Sequence, residues 1–270
     1  MIDNKVDIVI QGAYTNYTNE IIELYLTLPF VNNIIVSCWE DNPENTYYEK
    51  VIFIRNKYPE SPGTDNRNLQ ILSSLNGLKE CQSEFAIKTR SDQKFTYDSM
   101  IKMYDFFMQN NQKSINYQYE SDKPYNKIMV AGIYGNLLFC PRDHIFWGKT
   151  SDLIELFDIP LEKNGFIEKV RIPKQRLWMY YNHFIRTETY IGAHYCSKFN
   201  EELYRMILNA HECLYDGAIY WYHSKGVSDN MTPLVFKSFP KSMIYFDWPC
   251  KPEFTVQSYI DACSWHEDGY

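Results

Sequence analysis

The sequence predicts an α/β domain with a mainly parallel central sheet and helices on both faces. Three observations carry this. Strand-length apolar runs alternate with helical spacings along the first 95 residues. Hydrophobic residues make up 45% of the 270-residue chain and charged residues 23%, a balance that fills one large core and does not suit wholesale disorder. No internal repeat or low-complexity linker divides the chain, so a single domain is expected.

Val6–Ile10 is an apolar run closed by Gln11-Gly12, a strand followed by a turn. Asn19–Leu28 sets Ile21, Ile22, Leu24, Tyr25 and Leu28 at helical spacing. Asn33–Cys38 reads as a second strand, ending at Trp39-Glu40-Asp41, and Lys50–Arg55 as a third. A loop follows from Pro59 to Gly63. A helix then starts near Asp65, a good N-cap. Its core stripe is read as Leu69, Ile71, Leu72, Leu75 and Leu78, with Asn66, Arg67, Gln70, Ser73 and Ser74 elsewhere on the helix.

The stretch SEFAIKTRSDQKF, Ser83 to Phe95, supplies the fourth strand. A period of two puts Glu84, Ala86, Lys88 and Arg90 on one face, with Asp92 in line at the end. Two cations and a carboxylate on one face of an interior strand suit a doubly charged ligand. An ion pair of the cations with Glu84 or Asp92 is the plain alternative. In parallel sheets ligands bind at the carboxyl ends of the strands. Those ends are Gln11-Gly12, Trp39-Glu40, Arg55 and Arg90–Asp92.

The second half is less regular. Ser99–Gln109 is expected as a helix. Lys127–Tyr134 and Asn136–Cys140 read as strands around Gly132 and Gly135. Asp152–Phe157, Lys174–Phe184 and Glu201–Leu214 read as helices, and Ala218–His223 as a late strand before Ser-Lys-Gly. The aromatic, Pro-containing tail from Phe236 reads as a covering segment.

Composition excludes several classes. The net charge is −7 and no Lys/Arg-rich run occurs, which argues against a nucleic-acid partner. Apolar stretches are strand-length, so no transmembrane helix is expected, though peripheral membrane contact stays open. The chain enters a strand pattern directly, without a signal-peptide pattern. Seven Cys at irregular spacing, with no CxxC, suit reduced thiols and a cytoplasmic location. His194, His211 and Cys213 do not make a zinc pattern. No P-loop is present, which disfavours a phosphotransferase.

The pieces VIQG, NIIVSCWE, NRNLQILSSLNGL and FAIKTRSD, in this order and spacing, resemble the WavE lipopolysaccharide-synthesis family. The similarity runs from about Asp7 to Asp92 and continues more loosely through GNLLFCPRDHIFWG and IPKQRLW. It implies a GT-A-like, Rossmann-related glycosyltransferase of surface polysaccharide synthesis. Residues 1–95 would form the nucleotide-sugar-binding half, 96–235 the acceptor and catalytic half, and 236–270 the covering segment. GT-A enzymes usually carry Asp-x-Asp, whereas this chain reads Asp92-Gln93-Lys94. The slot where the family is expected to place an acid, at the start of the IPKQRLW helix, reads Lys174-Gln175.

Glycosyl transfer needs the departing diphosphate stabilised and, in inverting enzymes, the acceptor hydroxyl deprotonated. A divalent metal, Mn²⁺ or Mg²⁺, is the usual GT-A partner of the diphosphate. Asp92 and His223 are its candidate ligands. Lys88, Arg90, Arg67 and Lys225 are candidate phosphate cations. Gln11, Gly12, Trp39 and Glu40 are placed to hold the base, and Asn66, Arg67 and Gln70 lie where the helix start favours phosphate. Asp143 is the first candidate for the catalytic base, with Glu168 or Glu188 behind it. The partners implied are a nucleotide-sugar and a glycan or lipid-linked acceptor. The competing reading is a non-catalytic nucleotide- or sugar-binding protein on the same fold.

Overall fold

The structure is a computed structural model and describes residues 4–42, 48–110, 127–133, 138–162, 186–200, 203–205, 232, 235–249 and 251. The first half comprises β1 (Val6–Gln11), α1 (Asn16–Leu26), β2 (Val31–Trp39), β3 (Val51–Asn56), α2 (Arg67–Lys79), β4 (Phe85–Arg90), β5 (Lys94–Phe95) and α3 (Tyr97–Asn110). Then come β6 (Ile128–Val130), β7 (Ile145–Lys149), α4 (Thr150–Phe157), α5 (Thr187–Ser197), β8 (Phe236–Ser238) and β9 (Phe246–Asp247).

Seven strands form one sheet in the order β3-β2-β1-β4-β7-β6-β8. The pairs β2–β3, β1–β2, β1–β4 and β6–β8 are parallel, and β7 runs against both β4 and β6. A separate antiparallel pair joins β5 to β9. The α/β class expected from the sequence, with a mainly parallel sheet and helices on both faces, is the one observed.

The central strands are largely apolar because both faces are covered. Ile8, Ile10, Ile34, Val36, Ile87 and Trp147 face one core with Tyr25, Met100, Met103 and Phe107. Val9, Ile35, Ala86 and Phe146 face the other, with Ile71, Leu78, Leu153, Leu156, Ile191 and Tyr195. Close approach of α2 to the sheet depends on Gly77. A Cβ there would lie 2.5 Å from Val9 Cγ1 and 3.0 Å from Ser37 Cβ.

At the amino end of the sheet, fully buried Asp7 clamps three strands together. Its Oδ1 accepts from the Asn33 amide (3.0 Å) and Asn32 Nδ2 (3.1 Å), at the start of β2. Its Oδ2 accepts from the amides of Gln82 (2.6 Å) and Ser83 (2.7 Å), just before β4.

Several expectations are corrected. The helix expected from Asp65 starts at Arg67. Asp65 and Asn66 take left-handed backbone angles in a 3-10 turn (Thr64–Asn66), and Asn66 is the N-cap. The face of α2 against the sheet is built from Ile71, Ser73, Ser74, Gly77 and Leu78, while Leu69, Leu72 and Leu75 are half-buried. Gly77 holds the closest approach, where even a Cβ would meet Val9 and Ser37. Of the strand expected over Asn136–Cys140, the described residues form a turn in which Phe139 has φ 45°. The strand lies later, at β7, where IFWGK is too short to separate from the preceding turn by pattern alone. The expected Lys174–Phe184 and Ala218–His223 elements lie outside the described residues. So does most of Glu201–Leu214, of which Leu203–Arg205 is helical. The segment after Phe236 enters the sheet as β8 and pairs with β5 as β9.

Candidate functional site

Parallel strands of matched register end together. Gln11, at the end of β1, pairs with Ser37 of β2 and Arg90 of β4. Their carboxyl edge opens into a cleft of about 320 Å³ that continues to the start of α2, the low end of the range for small-molecule sites. Seven residues singled out from the sequence line it. Gln11, Gly12, Trp39, Arg90 and Asp92 come from the strand ends, and Asn66 and Gln70 from the helix start.

Local structure explains the shape. Gly12 has φ 127°, a conformation that favours glycine. A Cβ there would lie 2.5 Å from Ser91 Oγ, so only glycine lets the β1 and β4 turns meet. Asn42 Oδ1 accepts from the amides of Tyr14 (3.0 Å) and Trp39 (3.1 Å), tying those two strand ends together. Trp39 stacks on exposed Tyr58 at 4.7 Å between centroids. The turn before α2 is anchored from below, where Glu162 accepts from the Thr64 amide (2.9 Å) and hydroxyl (2.8 Å).

The charged groups form one network. Arg90 donates to both oxygens of Asp92 at 2.8 Å and to Asp143 Oδ2 at 2.8 Å. Trp248 Nε1 donates to Asp92 Oδ2 (3.2 Å), and its ring lies 5.4 Å from the guanidinium carbon. Burial, the largest single effect, raises the Asp143 carboxyl, but the neighbouring groups together, Arg90 first and then His144 and Lys88, outweigh it and hold the group well below the usual carboxylate range. Burial is also the largest effect on Asp92 and raises it, but Arg90 and the Trp248 donor together bring it below its ordinary value. His144, stacked on Phe246, has Nδ1 within 2.6–2.9 Å of the Gln93 amide. Burial pushes it down to about 3, so it is neutral.

Some candidates do not reach the cleft. Lys88 is fully buried beneath the site. Its Nζ donates to the Asp143 carbonyl at 3.2 Å and sits 5.4 Å from the centre of the Phe146 ring. Burial brings its pKa down to about 8. Arg67 is buried against Glu162 (3.1 Å) and the Tyr190 ring (4.2 Å). Asp143 lies behind Arg90, and Glu40 projects into solvent. Glu168, His223 and Lys225 lie outside the described residues.

Trp248 was not signalled locally, whereas Glu188 was already a candidate base from the sequence. Trp248 is 156 positions from Asp92 and reaches it only through the β5–β9 pairing. Glu188 occupies the first turn of α5. Burial first, and then the Asp143 carboxylate, push its carboxyl up to about 7.

Among the described residues, the side chains around Asp92 do not fit a divalent cation. A single guanidinium binds Asp92 and Asp143 together. Gln93 is turned to His144, and Lys94 pairs with Glu20 at 2.8 Å. Among the described residues no three His, Cys, Asp or Glu side chains converge, and no helix is long and apolar enough to cross a membrane.

Comparison with curated protein sequences gives no match. Among solved structures, the chain is similar to 4-diphosphocytidyl-2C-methyl-D-erythritol synthase of Anaerococcus prevotii, with 8% identity and a TM-score of 0.40 over 68% of this chain and 86% of that one. It is also similar to 2-C-methyl-D-erythritol 4-phosphate cytidylyltransferase of Francisella tularensis (12% identity, TM-score 0.37, 67% and 88% covered). A third is TarS of S. aureus (13% identity, TM-score 0.36, 71% and 33% covered). Likenesses this distant bear on no activity. The model of WavE lipopolysaccharide synthesis matches residues 8–231, most of the sequence that builds the sheet and cleft, and the chain therefore belongs to the WavE lipopolysaccharide synthesis family.

Proposed function

We propose that the protein is a glycosyltransferase that moves a sugar from a nucleotide-sugar to a glycan or lipid-linked acceptor in surface polysaccharide synthesis. The observation that carries this reading is the cleft at the carboxyl ends of β1, β2 and β4, where an exposed edge of Arg90 meets amide side chains and an aromatic wall. Family membership supplies the biological setting.

In this reading Gln11 and Trp39 hold the base, Gly12 lets the chain approach it, and Asn66 and Gln70 orient the ribose and phosphates. Arg90 faces the diphosphate. In the transfer, the acceptor oxygen forms its bond to the anomeric carbon as the bond from that carbon to the phosphate oxygen breaks. The electron pair leaves with the diphosphate, where Arg90 offsets the growing charge. The acceptor proton goes to a base. Asp143 is held ionised by Arg90 and is a weak base for that reason. Glu188 does not line the cleft but lies near enough to Asp143 to feel its charge, and its carboxyl, raised to about 7, suits the task better.

The test is donor hydrolysis. The purified protein, incubated with a panel of nucleotide-sugars, is expected to release nucleoside diphosphate slowly from one donor. Glu188→Gln is expected to lower that rate by about 100-fold. Binding of a donor without any release would favour the non-catalytic alternative, and the absence of any donor binding would refute the reading.

A further inference from the structure

We propose that the donor diphosphate is held by the Arg90 guanidinium itself, without a bridging divalent cation, and that Asp92 and Asp143 position that guanidinium. This rests on the donor-site reading above and goes beyond it.

The donor count comes first. A guanidinium carries about five N–H donors. Arg90 spends three, through Nε and one terminal nitrogen on Asp92 and through the other terminal nitrogen on Asp143, each at 2.8 Å. Its remaining donors are on the two terminal nitrogens, its side chain is 27% exposed, and it lines the cleft. Two carboxylates and an indole ring therefore hold a planar cation whose remaining terminal N–H groups are left for phosphate oxygens, a role that suits Arg and not Lys.

The carboxylates are the second point. A metal bound to Asp92 would have to break the paired bonds to Arg90, compete with the Trp248 Nε1 donor, and sit beside a displaced guanidinium of like charge. Asp143, buried behind Arg90, is poorly placed to add a second ligand for such an ion, and Arg90 engages its Oδ2. The next two side chains after Asp92 are also committed, Gln93 to His144 and Lys94 to Glu20. The buried Lys88 amine on the Asp143 carbonyl adds positive charge behind the same strand end. The cluster thus supplies its own cations where Asp-x-Asp sites recruit one.

Calorimetric titration of UDP, GDP, CDP and dTDP onto the full chain, in excess EDTA and in excess Mn²⁺, tests this. One nucleotide is expected to bind with Kd values within about twofold in the two media. Arg90→Gln is expected to weaken it by about 10- to 100-fold, with Arg90→Lys recovering little. Because Arg90→Gln strands the buried Asp143 carboxylate, Arg90→Gln/Asp143→Asn is measured beside it and is expected to show the same loss in a folded protein. In parallel, the electron paramagnetic resonance signal of Mn²⁺ with nucleotide is expected to be unchanged by adding protein. Binding that requires Mn²⁺, or a Mn²⁺ signal quenched by wild type and restored in Asp92→Asn, would overturn the inference while leaving the donor site intact. If no nucleoside diphosphate binds in either medium, the donor-site reading itself fails and this inference falls with it.

Discussion

Replacing Asp7 tests whether one buried carboxylate clamps the sheet. In the wild-type protein four donors converge on it, three of them main-chain amides, at 2.6–3.1 Å. Asp7→Ala removes every acceptor. Hydrogen bonds to a charged group each contribute about 1.5–3 kcal/mol. The Gln82 and Ser83 amides lie on a partly exposed turn where water can replace part of the loss. Counting about two bonds as fully lost gives about 3–6 kcal/mol. Melting temperature falls by about 2 °C per kcal/mol in a chain of this size, so a drop of about 6–12 °C is expected. Asp7→Asn is the sharper variant. It keeps the shape, but whichever way the amide turns, its NH₂ group faces two donors instead of accepting from them. It is expected to lose at least about half of what Asp7→Ala loses. Thermal unfolding followed by intrinsic fluorescence measures both. Asp7 lies at the opposite end of β1 from the cleft, so ligand affinity of the folded protein is expected to be unchanged. An Asp7→Asn protein melting within about 1 °C of wild type would refute the clamp.

Gly12→Ala introduces a side chain where the backbone is left-handed and Ser91 Oγ would lie 2.5 Å away. A strain of about 1–3 kcal/mol is expected, with nucleotide affinity falling about tenfold or more in calorimetry. Gly12→Ala/Ser91→Gly should recover part of the affinity, by removing the contact but not the strain. For Glu188, whose folded value is raised to about 7, transfer rate is expected to rise with pH through about 7 as the carboxylate forms, and Glu188→Gln should lack that limb. The linkage has the same origin. The stabilising contribution of the protonated carboxyl is complete below the ordinary carboxylate range and is lost as pH rises through about 7. Glu188→Gln should therefore gain melting temperature relative to wild type at about pH 8 and not at about pH 4. Equal shifts at the two pH values would count against a raised Glu188.

The strand–helix alternation of the first 95 residues was readable because each run carries its own periodicity. β1 to β4 and the α1 and α3 helices appear within a few residues of where pattern places them. Their carboxyl ends were readable too, since a parallel sheet brings Gln11, Trp39 and Arg90 to one edge whatever the details of packing. What the sequence could not decide was which polar groups face the cleft and which face inward. Lys88 and Arg90 share a face by alternation, yet Lys88 is sealed under α4 against Phe146 and Phe157, and Arg90 emerges one turn of the pleat later. Arg67 was equally attractive by position, but Glu162, 95 residues on, draws it into the interior.

The amino-acid sequence by itself therefore determined the α/β class, the order of the first four strands and the set of strand ends that meet. Local periodicity and chain direction suffice for those. Tertiary structure alone decided the state of the charges. Asp92, Asp143 and Trp248 are separated by dozens of residues and come to one guanidinium only after β7 inserts antiparallel beside β4 and β9 pairs with β5. Ionisation, donor count and the choice between a metal and an arginine all depend on distances of a few ångströms between such remote groups, and those distances have no trace in local pattern.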